Sequence, residues 1–342
     1  MSAGFALAGV LFALLFAWQK PSRSLTFVSK AEQAEYRLKL SGPISLAAAG
    51  TIVAIANGLF DDRGLRVHLV GGSSDDDSLS VVGADENTIA IASAAGFLKA
   101  RANGMPIIAF AAAYTVSPVQ FFTLPSTTLF EPADLEGKQI GFIPDPDVSN
   151  ILSEFISRNS LAQGKLRLVE VDTPWRALRD RKADVILGRF DVDGQELDRR
   201  NIEYKVLSPD SYGVHAPGPV YVANEKAFAR RRELEKFLIA TAEGWNAVYT
   251  DYNKTIPVIA KSIDITFSPQ FISRFLDIQR RFLRPTGTRF GELDIRRIRV
   301  LQEQLLQRRV IQNPVDLTRA VKDDVVKEAY RNQTNVLNRI EP

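Results

Sequence analysis

The chain has 342 residues, 45% hydrophobic and 24% charged, so it reads as a folded globular body with room for one large domain or two lobes. Cysteine is absent, which excludes disulfides, thiolate metal sites, cysteine nucleophiles and a lipidated cysteine, and the two histidines, His68 and His215, lie far apart. The formal net charge of +3 takes two of its units from Lys20 and Arg23 in the first 24 residues, so the body is nearly neutral and no nucleic-acid partner is implied.

Residues 1–18, MSAGFALAGVLFALLFAW, carry no charge. Their length suits the apolar region of a signal peptide, whereas a membrane-spanning helix wants about 20 apolar residues. No Lys or Arg precedes the run and no A-x-A site ends it, but Ser22 and Ser24 stand where small residues precede cleavage, before Leu25. Export is expected, with residues 1–24 a signal peptide or, where 1–18 are retained, an N-terminal membrane anchor.

From there the pattern alternates. EYRLKLSG (35–42) reads as a strand stopping at Gly42-Pro43, and ISLAAAGTIVAIANGLF (44–60) as a buried helix closed by Asn57-Gly58. LRVHLVGG (65–72) is strand, and SSDDDSLSVVGAD (73–85) a helix whose Ser and Asp start can bond free N–H groups. TIAIAS (88–93), AAGFLKARANGM (94–105) and PIIAFAAAY (106–114) follow as strand, helix and strand. Strands alternating with helices predict a mostly parallel sheet covered by helices.

The pattern then restarts. PVQFFTLP (118–125), a short helix and strand in EPADLEGKQIGFIP (131–144), a helix at 147–160, a strand at 165–172, a helix at 173–183 and a strand at 184–191 make a second α/β unit. GPVYVANEKAF (218–228) gives a last strand, and the chain beyond it is mostly helical. Short segments near 115–118 and 218–222 join the two units.

Five stretches in order carry a resemblance: GLFDDRGLRVHLVGGSS, TIAIASAAGFLKARANGMPIIAFAAAYTVSPVQFFTL, PADLEGKQIGF with DPDVSNILSEFI, KADVILGRFDVDGQEL, and VYVANEKAFARRRELEKFLIATAEGWNAVYTDY. Together the chain resembles the periplasmic solute-binding proteins of ABC importers, in the branch that handles nitrate, alkanesulfonates, taurine and thiamine-pyrimidine precursors. The resemblance implies a type II periplasmic-binding-protein fold: an α/β protein of two lobes, each a mostly parallel sheet flanked by helices, with a helical C-terminal part. Lobe 1 would comprise residues 31–117 and 222–342, and lobe 2 residues 118–221. It further implies a monomeric periplasmic receptor without cofactor or catalysis, closing about a hinge on a small polar or anionic solute and delivering it to a membrane permease.

The family's ligand positions map onto this chain one at a time. Pro43 and Ser45 stand where the first strand meets the first helix, and Gly72 and Ser73 at the matching edge after the second strand. Glycine there would let a ligand approach the main chain; a plain strand-ending turn accounts for it equally. Ser93 and Ala94 follow the third strand, and Tyr114 precedes the crossover. In the second unit Asp147 and Ser149 either cap a helix or contact ligand. Arg189 stands where the family has Tyr, and Asp193 where it has Glu. Arg189 either pairs an anionic head group or is tied to Asp191 or Asp193.

Departures narrow the reading. SGPISLAAAG replaces the Trp-containing run of the pyrimidine-binding branch, which argues against a pyrimidine ligand, and the cysteine-dependent eukaryotic branch loses its chemistry here. Asp75-Asp76-Asp77 lacks chelating spacing and reads as helix capping; the DVDG at 191–194 lacks the rest of a calcium loop. No Walker A, nucleophile elbow or dinucleotide fingerprint occurs. Two alternatives stay open, an enzyme of small-metabolite synthesis on the same fold and a membrane-anchored sensor subunit.

Overall fold

The computed structural model describes residues 33–263 and 267–331, and the leader reading of residues 1–24 lies outside them. Among the described residues no helix is long and apolar enough to cross a membrane.

The first sheet is built from β1 (Ala34–Leu40), β2 (Leu65–Val70), β3 (Thr88–Ala92) and β4 (Ile107–Ala112), alternating with α1 (Ala49–Ala56), α2 (Asp75–Ala84) and α3 (Ala94–Ala102). The second takes β5 (Val119–Thr123), β6 (Gln139–Phe142), β7 (Arg167–Glu170), β8 (Val185–Arg189) and β9 (Lys205–Leu207), with α4 (Pro146–Arg158), α5 (Pro174–Arg179) and α6 (Gln195–Arg199). The chain returns to the first sheet as β10 (Val220–Asn224) and ends in α7 (Arg231–Thr250), α8 (Tyr252–Ser262), α9 (Pro269–Leu283), α10 (Ile295–Gln307), α11 (Leu317–Ala320) and α12 (Asp324–Arg331).

The strand orders are β2-β1-β3-β10-β4 and β7-β6-β8-β5-β9. In each sheet one strand runs against the others: β10 is antiparallel to both β3 and β4, and β5 to both β8 and β9. These reversed strands are the ones through which the chain enters lobe 2 and returns to lobe 1. This is the α/β layering expected from the alternating pattern, in the two lobes that the family resemblance implied. Every residue of interior strands β5 and β10 is buried, as strands covered on both faces require. Edge strand β4 is buried as well, because the C-terminal segment covers its outer side and the Lys322 N–H donates to the Ala109 carbonyl at 2.9 Å, while edge strand β2 alternates buried Leu65 and Val67 with exposed Arg66 and His68.

Two local readings change. Strand β9 was not anticipated, because three residues at a sheet edge are too few to show alternation. The helix expected over 44–60 is a 3-10 turn (Leu46–Ala48) followed by α1, and Gly58, at φ +69°, turns the chain out of it. Helix α1 has small residues, Gly50 and Ala54, where α7 lies against it. A methyl group on Gly244 of α7 would fall on the Gly50 carbonyl oxygen, and one on Gly50 would enter the Trp245 ring. Trp245 is therefore a core residue.

The connections between lobes run side by side. The Ala113 N–H donates to the Pro219 carbonyl at 2.8 Å and the Ser117 N–H to the Ala216 carbonyl at 3.2 Å. Gly218 lies so close to the neighbouring strand that a methyl there would overlap the Tyr114 carbonyl oxygen. The C-terminal helices touch both lobes. Phe275 of α9 stacks on Phe190 beyond β8, with centroids 5.2 Å apart. Helix α10 buries Ile298, Leu301 and Leu305 in the lobe 1 core. From the same helix Gln304 bonds Asn150 and Glu154 of α4, both at 2.6 Å, and just beyond it Arg308 donates to the Ser149 carbonyl at 2.7 Å.

Candidate functional site

In both sheets the C-terminal ends of the codirectional strands lead into turns and helix N-termini, the usual place for ligands in open α/β sheets. In lobe 1 the end of β1 passes Pro43, which is exposed, to Ser45, whose hydroxyl accepts the Ala47 N–H at 3.4 Å. After β2 the Gly72 N–H donates to the Gly42 carbonyl at 2.8 Å. A methyl on Gly72 would land on the Leu40 carbonyl oxygen, so the close neighbour that demands glycine there is the chain's own β1. Exposed Ser73 directs its N–H and hydroxyl to Asp77 at 3.3 Å each, and Asp77 pairs with Lys39 at 3.2 Å.

After β3, Ser93 caps α3, accepting the Gly96 N–H at 2.9 Å, and Ala94 is buried behind it. The Ser93 N–H donates to Asp75 Oδ2 at 3.0 Å, and the Ser41 hydroxyl donates to Asp75 Oδ1 at 2.6 Å. Capping of α2 itself falls to Ser74, which accepts the Asp77 N–H at 3.2 Å. Asp75 is thus no simple cap of its own helix: its carboxylate reaches across to the N-terminus of α3. Tyr114, buried just past β4, accepts a hydrogen bond on its hydroxyl from Gln279 Nε2 of α9 at 2.7 Å, and burial raises its phenol well above the ordinary value.

In lobe 2 the capping alternative for Asp147 and Ser149 is corrected. The cap of α4 is Asp145, which accepts the Asp147 and Val148 N–H groups at 2.9 and 2.8 Å ahead of Pro146 in the first turn. Asp147 is 7% exposed, and its carboxylate makes no hydrogen bond or ion pair among the described residues. Burial, then the Asp145 and Asp75 charges, push it up to about 7 while Arg189 pulls it down. Ser149 is half-buried and is held through its carbonyl.

Arg189 forms a two-pronged ion pair with Asp191, at 3.1 and 2.7 Å. Asp193 accepts the Trp175 and Arg189 N–H groups at 3.1 and 2.9 Å, holding a π-helical turn over Phe190–Gly194. Burial pushes its carboxyl up to about 6.

The group felt together at this place spans both lobes. The Asp75 charge acts on Asp145, Asp147 and Arg189, and those of Asp191 and Arg189 act on Tyr114. Asp75, Asp145, Asp191 and Gln279 were not among the sequence candidates. An Asp-Pro pair opening a helix and a lone Gln on the apolar face of α9 were the signals available for two of them.

Residues 46–254 match the family model described as NMT1/THI5 like. No curated protein sequence matches the chain. Among solved structures, the chain is similar to the periplasmic aliphatic sulphonate binding protein SsuA from Escherichia coli, with TM-score 0.70, 13% identity, and 85% of this chain and 98% of that one covered. It is also similar to the periplasmic nitrate-binding protein NrtA from Synechocystis PCC 6803, with TM-score 0.65, 11% identity and 91% of each chain covered. A third likeness is to the desulfurization enzyme DSZB, with TM-score 0.60, 14% identity, and 87% of this chain and 99% of that one covered.

Proposed function

The chain belongs to the NMT1/THI5-like family, and from that premise we propose that it is an exported, non-enzymatic solute receptor that delivers a small polar solute to an ABC importer permease. The solute is clamped between the lobes by rotation about the paired connections at Ala113–Ser117 and Ala216–Pro219, and the closed form is what the permease engages. The receptor works as a periplasmic monomer. The observation that carries this reading is the shared electrostatic group: Asp75 from lobe 1 sits within range of Asp145, Asp147 and Arg189 from lobe 2. A ligand there touches both halves and so has different affinities for open and closed forms, which is what drives closure. Ser45, Ser93 and Tyr114 line the lobe 1 side of the same cleft.

The test is a solute screen read three ways. Binding raises the melting temperature, shrinks the radius of gyration in solution scattering and leaves the solute chemically unchanged. A bound solute that produces no compaction refutes hinge closure. A second reading, an enzyme on this frame, is favoured by Asp147, whose proton affinity near neutrality suits acid–base work, and by the likeness to a desulfurization enzyme. Conversion of a bound solute selects that reading. N-terminal sequencing of the mature protein separates a free receptor from a membrane-anchored sensor subunit.

A further inference from the structure

The polar groups of the cleft are unequal in sign. Asp75 reaches it from lobe 1, and Asp145, Asp147 and Asp191 from lobe 2, against the guanidinium of Arg189, which is already engaged on both prongs by Asp191. Lys39, at the rim, is committed to Asp77 and to the Gly71 carbonyl at 3.0 Å. The place where an anion would be received, the N-terminus of α3, already holds a carboxylate. Asp75 Oδ2 takes the Ser93 N–H and lies 2.6 Å from where a methyl on Gly96 would sit. A negatively charged ligand would therefore meet a filled position and several like charges.

The unused hydrogen-bonding capacity has the same sense. Asp147 is 7% exposed; its carboxylate makes no hydrogen bond or ion pair among the described residues, and its oxygens are not sealed from solvent. Gln279, fully buried, spends its amide N–H on the Tyr114 hydroxyl and the Ala47 carbonyl, leaving its Oε1 acceptor unfilled. Both unfilled atoms are acceptors and call for a donor.

Resting on the receptor reading above, we propose that the cleft takes a small organic cation whose ammonium group is received by the Asp147 carboxylate, with Asp145 and Asp75 completing the negative surround. Such a cation joins two lobes that otherwise present like charges to one another. Closure on an amine and refusal of a sulfonate or nitrate then come from the same residues.

The experiment titrates the purified protein by calorimetry with 1,4-diaminobutane, 2-phenylethylamine and choline, and in parallel with ethanesulfonate and nitrate, following scattering and solute integrity on the same samples. The expected result is heat and compaction with at least one amine, weakened about ten- to hundredfold by Asp147→Asn. The variant's cooperative unfolding shows that it is folded. Compaction by ethanesulfonate or nitrate in place of the amines overturns the cation assignment and leaves the receptor reading standing. An amine that binds but is chemically converted supports the assignment and removes the receptor reading. Silence of all three amines at millimolar concentration, or amine binding untouched by Asp147→Asn, overturns the assignment.

Discussion

Asp147→Asn should make the ligand-free protein more stable at pH 8. In the unfolded chain an aspartate ionises near pH 4; in the folded protein burial and the neighbouring Asp145 and Asp75 charges hold Asp147 up to about 7, with Arg189 opposing them. Below pH 4 both states keep the proton and the group contributes nothing. Between 4 and 7 the folded state keeps a proton that the unfolded state releases, so stability falls as pH rises, and above 7 the whole penalty is in place. A difference of about three units corresponds to about 4 kcal/mol, an upper bound because opening of the cleft admits water. For a body of this size that is a rise in melting temperature of about 5 °C. Differential scanning calorimetry of both proteins from pH 4 to pH 8.5 reads it directly. Equal melting temperatures at pH 8, or a gain as large at pH 4 as at pH 8, would refute an uncompensated buried charge at this position.

Other expected outcomes follow from packing and hydrogen bonds. Gly244→Ala drives a methyl into the Gly50 carbonyl and should cost about 1–3 kcal/mol in urea unfolding, with α1 and α7 forced apart. Gln279→Leu removes the hydrogen-bond partner of the buried Tyr114 hydroxyl and should cost about 1–3 kcal/mol, whereas Gln279→Glu should restore part of that loss only at acidic pH. Arg308→Ala together with Gln304→Ala removes the bonds from α10 and the segment after it to α4, and should enlarge the radius of gyration of the ligand-free protein in scattering while leaving the far-ultraviolet circular dichroism unchanged.

The layout of strands and helices was legible because both sheets have long, apolar interior strands punctuated by Gly, Pro and Asn, and β4 and β10 announce themselves as unbroken hydrophobic runs. Edge strand β9 was not, since nothing in three residues separates a strand from a loop. Arg189 stood out in the sequence, but its carboxylate partner was a choice between two aspartates that only the π-helical turn decides, by committing Asp193 to main-chain N–H groups and leaving Asp191 for the guanidinium. Asp75 was read as a local cap because local reach is all a sequence displays; its bonds to Ser41 and Ser93 come from strands brought alongside by the sheet. Gln279 was the missed opportunity, a polar residue on the face that Ile272, Phe275, Leu276 and Leu283 bury.

The reversed strand, fourth of five in each sheet, also sets an order of assembly. All five strands of the second sheet lie within residues 119–207, so that half can complete its ladder as soon as this stretch has left the ribosome or translocon. The first sheet meanwhile has a gap between β3 and β4 that only residues 220–224 fill, and its covering helices come later still. The inserted half should therefore mature first and the enclosing half last, a sequence that pulsed hydrogen exchange would read as early protection of β5, β6 and β8 and late protection of β3 and β4.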